Sequence, residues 1–218
     1  MQTPTYVFDF DSTLVTVESL DELAGIALDG REDRKQVLRK IEETTTLGML
    51  GNIEFDESLN RRLGLFSANK EHLDMLCKKL LKSISPSVLQ NQEWFEENKN
   101  SIYVISGGFK EFILPVTDLL GIKSENVFAN EFTFDEEGNI TGFNKENLLC
   151  KPKGKVKQLA KLNLPRPIIA VGDGSSDVEM KLSGAADVFC AFTESAQRPT
   201  IVAAADKELK RFEPQLLA

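Results

Sequence analysis

The chain predicts an α/β fold, a parallel sheet covered on both faces with a small helical unit inserted after the first strand. Two observations carry this. Short apolar runs at Thr5–Phe8, Ser101–Ile105, Ile168–Gly172 and Asp187–Phe192 have the length of buried strands. All but the last are followed by Gly, Ser or Asp and then by a helical pattern. Strand, polar turn and helix, repeated, build a parallel sheet between helical layers, and such sheets bind ligands at the carboxyl ends of their strands. The second observation is a gap. Residues 9–100 separate the first two runs, too many for one crossover.

Most of that gap reads as helix. Leu20, Leu23, Ala24 and Ala27 mark a first apolar stripe, and Val37, Leu38 and Ile41 a second. Phe55, Leu59, Leu63 and Phe66 mark a third, and Leu73, Leu76, Cys77 and Leu80 a fourth. Residues 16–84 are therefore expected to form a helical cap over a core made of residues 1–15 and 85–218. Further on, Val127–Phe134 and Ile140–Phe143 flank Asp135–Asn139, which predicts a β-hairpin.

The 218 residues are long enough to bury a real core, and 41% apolar with 28% charged is an ordinary globular composition. A net charge of -8 argues against a general nucleic-acid binder. Cys77, Cys150 and Cys190 are odd in number and lack metal-ligand spacing, so they read as reduced thiols of a cytoplasmic protein. Met1-Gln2-Thr3-Pro4 leads straight into the first strand with no apolar leader, and no run approaches membrane-spanning length. No membrane partner is expected, and the protein is expected to be a monomer or homodimer. The single histidine, His72, lies in a charged helical stretch and reads as a surface residue. Chemistry must then run on carboxylates, lysine, hydroxyls and metal.

The acids are the most informative residues. Asp9 and Asp11 follow the first strand, and Asp173 and Asp177 follow the run Ile168–Gly172. Neighbouring strands would bring all four together. Two carboxylates ~4 Å apart repel by about 4 kcal/mol at an effective dielectric of ~20. Four together require a hard, oxygen-liganded cation, and Mg2+ is expected. Asp9, held at a strand end and ionised at neutral pH, can attack phosphorus without a base to activate it. Asp11 can protonate the leaving oxygen and then deprotonate a water. Thr13 offers a hydroxyl to the same loop, or a helix cap. Ser106 and the Gly107 N–H can donate to a phosphate oxygen. Lys151-Pro152-Lys153-Gly154-Lys155 precedes a helix over Val156–Leu162, and a lysine there can neutralise a phosphoryl group. Asp173 reads as a metal ligand and Asp177 as a brace for metal-bound water.

Asp9-Phe10-Asp11-Ser12-Thr13, Ser106-Gly107-Gly108, a lysine and Gly172-Asp173-Gly174-Ser175-Ser176-Asp177 occur in the order of the four motifs of the haloacid dehalogenase superfamily of phosphatases, which the chain resembles over nearly its whole length. The resemblance implies a three-layer Rossmann-type core with an α-helical cap. It makes Asp9 the nucleophile and Asp11 the general acid/base. It assigns Mg2+ to Asp9, the Asp11 backbone carbonyl and Asp173. Ser106, Gly107 and a lysine would hold the phosphoryl group. Lys153 matches the family's Lys-Gly pattern best, with Lys155 as the fallback.

Within that superfamily, Asp9 through Glu18 resembles the phosphoserine phosphatases, in which the matching glutamate reaches the substrate's ammonium. Met49 through Arg62 resembles their cap segment, making Met49, Phe55 and Arg62 substrate-side positions. Helical geometry singles out Arg62 independently. At 100° per residue, Phe55, Leu59 and Phe66 lie within about 40° of one another; Arg62 shares their stripe and Arg61 does not. A charge on an apolar face needs a partner, either a substrate carboxylate or an acid of the protein. Ser176 departs from the Asn or Thr common there, keeping a donor on a shorter arm. The expectation is a Mg2+-dependent phosphomonoesterase acting on phosphoserine, a small-molecule phosphate monoester. Phosphohomoserine or phosphoethanolamine, phosphoryl transfer to an alcohol, and a catalytically idle phosphate-binding scaffold are the alternatives.

Overall fold

The structure, a computed structural model, describes residues 3–50 and 52–217. The reading of the first two residues as leaderless lies outside them. β1 (Thr5–Phe8) leads into four helices, α1 (Ser19–Ala27), α2 (Arg34–Met49), α3 (Phe55–Leu63) and α4 (Lys70–Leu80). Two short helices, α5 (Pro86–Gln90) and α6 (Gln92–Glu97), return the chain to β2 (Ile102–Phe109). Then follow α7 (Lys110–Leu119), β3 (Val127–Asn130), β4 (Phe132–Phe134) and β5 (Ile140–Phe143). α8 (Gly154–Leu162), β6 (Ile168–Gly172), α9 (Ser175–Leu182), β7 (Val188–Phe192), α10 (Pro199–Ala203) and β8 (Lys207–Leu209) complete the order.

Six strands form one parallel sheet in the order β3-β2-β1-β6-β7-β8. Alternation along the buried strands divides the core in two. Tyr6, Phe8, Ile102, Val104, Ile169 and Val171 face one layer, with Leu23, Leu76, Phe95 and Phe112 from α1, α4, α6 and α7. Val7, Ile168 and Ala170 face the other, with Leu159 and Met180 from α8 and α9. Period-2 side chains buried on both faces are what a sheet between two helical layers requires. Each buried Phe or Leu there is worth about 1.5–3 kcal/mol, so the strand ends are rigid platforms.

β1 is the switch point: β2 lies on one side and β6 on the other. Phe8 pairs with Val171, and the Asp9 N–H donates to the Val171 carbonyl at 2.9 Å. The residues that follow these strands therefore meet in one crevice.

Three expectations need correction. The run Val127–Phe134 is two strands divided at Glu131: β3 joins the main sheet, and only β4 pairs with β5, as the expected antiparallel hairpin. Strand β2 runs on to Phe109, so Ser106-Gly107-Gly108 belongs to its irregular end, where the register with β3 shifts, and α7 starts at Lys110. Helix α3 ends at Leu63, so the buried Phe66 packs from the following loop. His72 is structural: its Nδ1 accepts from the Asn69 N–H while its own N–H donates to Asn69 Oδ1, a reciprocal cap on α4. The three cysteines are free. No helix among the described residues is long and apolar enough to cross a membrane.

Candidate active site

Carboxylate oxygens of Asp9, Asp173 and Asp177 lie within 4.8 Å of one another at the carboxyl ends of β1 and β6. Asp9 directly follows β1, and its Oδ1 accepts from the Phe10 N–H at 2.7 Å. Asp173 follows β6 and is 2% exposed. Its Oδ1 is buried and receives no hydrogen bond. An orphaned carboxylate oxygen beside two more acids is a poor arrangement for a bare protein and a good one for a hard cation. The donor set therefore fits Mg2+. Asp177 differs in kind, because Gly174 N–H donates to its Oδ2 at 3.1 Å and Lys155 Nζ to its Oδ1 at 2.9 Å. Its oxygens are already engaged by the protein, which suits bracing better than direct ligation.

Lys155 supplies the cation of the cluster. Its Nζ lies 2.8 Å from Asp9 Oδ2, and its side chain is almost wholly buried. Burial alone would lower the ammonium's pKa; Asp177 and Asp9 outweigh it and hold the value above the ordinary lysine range. Lys153, which the Lys-Gly pattern favoured, does not reach the cluster. It is exposed at the N-cap of α8, with a left-handed backbone (φ 56°). Lys153 still lines the cleft, and the difference between the two lysines has a helical cause. Lys155 shares the inward face with the buried Leu159, four residues on, whereas Lys153 precedes the first turn.

Asp11 lines the same cleft but engages different partners from Asp9. One of its oxygens, Oδ1, accepts from the Ser19 N–H at 2.9 Å and, in a short contact, from the Ser19 hydroxyl. Burial and then Glu18 push its pKa up to about 8, against the pull of the two Ser19 hydrogen bonds. The shift favours the protonated form of Asp11. The turn after Asp11 is tight: Ser12 takes a left-handed φ of 52°, and its hydroxyl donates to Glu18 Oε1 at 2.7 Å. Thr13 Oγ1 is buried without a partner.

The other predicted residues line the same cleft. Met49, Phe55 and Arg62 come from the inserted helices, and Ser106, Gly107 and Ser176 from the sheet side. Phe55 lies directly on Gly107, where a β-carbon would come within 2.4 Å of its ring, so only glycine admits this contact. Ser106 Oγ accepts from the Gly108 N–H at 2.9 Å, leaving its proton free to donate. Arg62 is 7% exposed. Its Nη1 meets Thr45 Oγ1 at 3.2 Å and Asp21 Oδ1 at 3.5 Å, while its Nε is buried and unpaired. Arg61 faces out and pairs with Glu57.

One residue escaped sequence reasoning. Arg198, just before α10, sets Nη1 against the Asp173 carboxylate and its backbone carbonyl, and Nη2 lies 3.6 Å from Glu18 Oε1. It bridges Asp173, after β6, and Glu18, just before α1. The only sequence signal was its place in the loop after a fourth parallel strand, where ligand-facing residues collect.

Aspartates after β1 and β6, a buried lysine from α8 and a serine near the end of β2 make a site suited to a phosphoryl-handling hydrolase. The chain belongs to the haloacid dehalogenase-like hydrolase family, whose model matches residues 6–181. Among relatives, it is 32% identical over 209 residues to the chloroplastic phosphoserine phosphatase of Arabidopsis thaliana, covering 94% of this chain and 68% of that one. A crystal structure of a phosphoserine phosphohydrolase-like protein from Francisella tularensis superposes with a TM-score of 0.86 at 30% identity, covering 96% of each chain. A phospho-aspartyl intermediate analogue of phosphoserine phosphatase gives 0.74 at 27% identity, covering 99% of this chain and 97% of that one.

Proposed function

We propose that this phosphatase hydrolyses O-phospho-L-serine to L-serine and phosphate through a phosphoaspartyl intermediate. The observation that carries the choice of substrate is Arg62, a buried guanidinium with an unpaired Nε in the cleft that also holds Asp9. A substrate carboxylate supplies the missing acceptor. Glu18, on the same cleft, suits the ammonium.

Asp9 attacks phosphorus, forming an acyl phosphate as the ester P–O bond breaks. Asp11 gives its proton to the departing seryl oxygen, which leaves as L-serine. Asp11, now ionised, takes a proton from an incoming water, which displaces Asp9 and releases inorganic phosphate. Lys155, Ser106 and the Gly107 N–H balance charge on the phosphoryl oxygens. Asp9, the Asp11 carbonyl and Asp173 would hold Mg2+, which offsets the repulsion between an anionic nucleophile and an anionic phosphate. Residues 16–84 act as a cap, with Met49 and Phe55 excluding bulk water over the loops of the core. Ser176 contributes a hydroxyl beside the phosphoryl group. The three free cysteines suit a reducing compartment such as the cytosol.

A panel of phosphoserine, phosphohomoserine, phosphoethanolamine and p-nitrophenyl phosphate, read as kcat/KM, tests this. Phosphoserine is expected to lead. Arg62→Ala should lower its kcat/KM by roughly 10- to 100-fold, the worth of a charged hydrogen-bonded contact, and spare p-nitrophenyl phosphate. Equal losses on both would return Arg62 to a structural role opposite Asp21.

A further inference from the structure

Arg62 can select a carboxylate only if its planar fork is held still, and one hydroxyl stands between it and Asp21. Thr45 Oγ1 donates to Asp21 Oδ1 at 2.8 Å and accepts from Arg62 Nη1 at 3.2 Å. The direct Arg62–Asp21 approach is longer, 3.5 Å, at the limit of a hydrogen bond. Asp21 belongs to α1, Thr45 to α2 and Arg62 to α3, so the chain of contacts ties three inserted helices together. Helices α2 and α3 pack closely enough for this because Gly48 faces Ser58, where a β-carbon would sit 2.9 Å from the Ser58 hydroxyl. Thr45 also lies one helical turn before Met49, on the side of α2 that lines the cleft.

We propose that Thr45 is the positioning residue for substrate selectivity: its hydroxyl relays Asp21 to Arg62 and so fixes the guanidinium edge that receives the substrate carboxylate. The proposal rests on the reading of Arg62 as the carboxylate's partner. The relay needs a group that donates and accepts at once, and among side chains of this size only a hydroxyl does both well. Thr45 engages Nη1 while Nε keeps no partner, and Arg62 lines the cleft. A held guanidinium loses less freedom when substrate arrives, so the benefit falls on substrate binding and on KM.

The test uses the full chain with Mg2+ and two substrates that share an ammonium but differ in the carboxylate, phosphoserine and phosphoethanolamine. The readout is the ratio of their kcat/KM values. Thr45→Val keeps the volume and removes the relay; it should lower that ratio on the order of fivefold, mainly through KM for phosphoserine, as expected for a net hydrogen-bond worth of about 1 kcal/mol. Thr45→Ser should restore it. Should the valine variant not fold, Thr45→Ala is read in the same way. A ratio that collapses in Arg62→Ala but holds in Thr45→Val, or equal losses on both substrates in Thr45→Val, would overturn the role of Thr45 alone. A ratio that Arg62→Ala leaves intact would overturn the carboxylate reading itself.

Discussion

Asp9→Asn should abolish turnover, lowering kcat by on the order of 10^4 or more, the scale of loss when an enzyme's nucleophile is removed. The amide cannot form the acyl phosphate, and nothing nearby replaces it: Asp177 is tied to Lys155 and Gly174, and Asp173 lies against Arg198. Folding should survive. Removing the Asp9 charge takes one partner from Lys155, but it also relieves repulsion with Asp173 and Asp177, and Lys155 keeps Asp177 at 2.9 Å. These effects oppose each other, so the unfolding midpoint should stay close to that of the parent. Steady-state kinetics beside a thermal melt checks both halves. A folded variant retaining a tenth of the activity would remove Asp9 as nucleophile.

The second large effect separates two lysines two residues apart. Lys155→Met strands the buried carboxylates of Asp9 and Asp177 without their counter-charge. Breaking one side of a buried ionic cluster typically costs about 3–5 kcal/mol of stability. The same change removes the charge that faces the transferring phosphoryl group, so kcat should fall by roughly 10^2 to 10^3. Lys153→Met, at an exposed position outside the cluster, should stay within about 0.5 kcal/mol of the parent and keep its kcat. Chemical denaturation and kcat on both variants decide the matter. Loss at Lys153 with Lys155 spared would reverse the assignment.

Those two lysines show where sequence reasoning was strong and where it failed. The Lys-Gly pattern favours Lys153, which precedes Gly154, but helical period favours the other: Lys155 pairs with buried Leu159 four residues on, while Lys153 would pair with exposed Lys157. Sheet and acids were legible because a strand that ends in an aspartate fixes both the platform and the charge. Asp9 and Asp173 meet because β1 and β6 are neighbours in register. The hairpin formed between β4 and β5, but its first arm was drawn too long, because the short polar break Asn130-Glu131 does not reveal that β3 and β4 pair with different partners. Arg198 was invisible for a related reason. It comes from a loop without periodicity, and only the sheet order brings that loop beside Asp173 and Glu18. The Thr45 relay was equally hidden, since it depends on how three helices pack rather than on any one of them.

Everything proposed for this site turns on phosphorus becoming bonded to one side chain after β1. Rapid acid quench of the enzyme turning over [32P]phosphoserine, followed by peptide mapping of the trapped label, examines that bond directly. Label should appear within milliseconds on the peptide that carries Asp9, be released by alkali, and be missing from Asp9→Asn. Label on a different residue, or a complete single turnover of phosphate release with no labelled protein at any time, would contradict it.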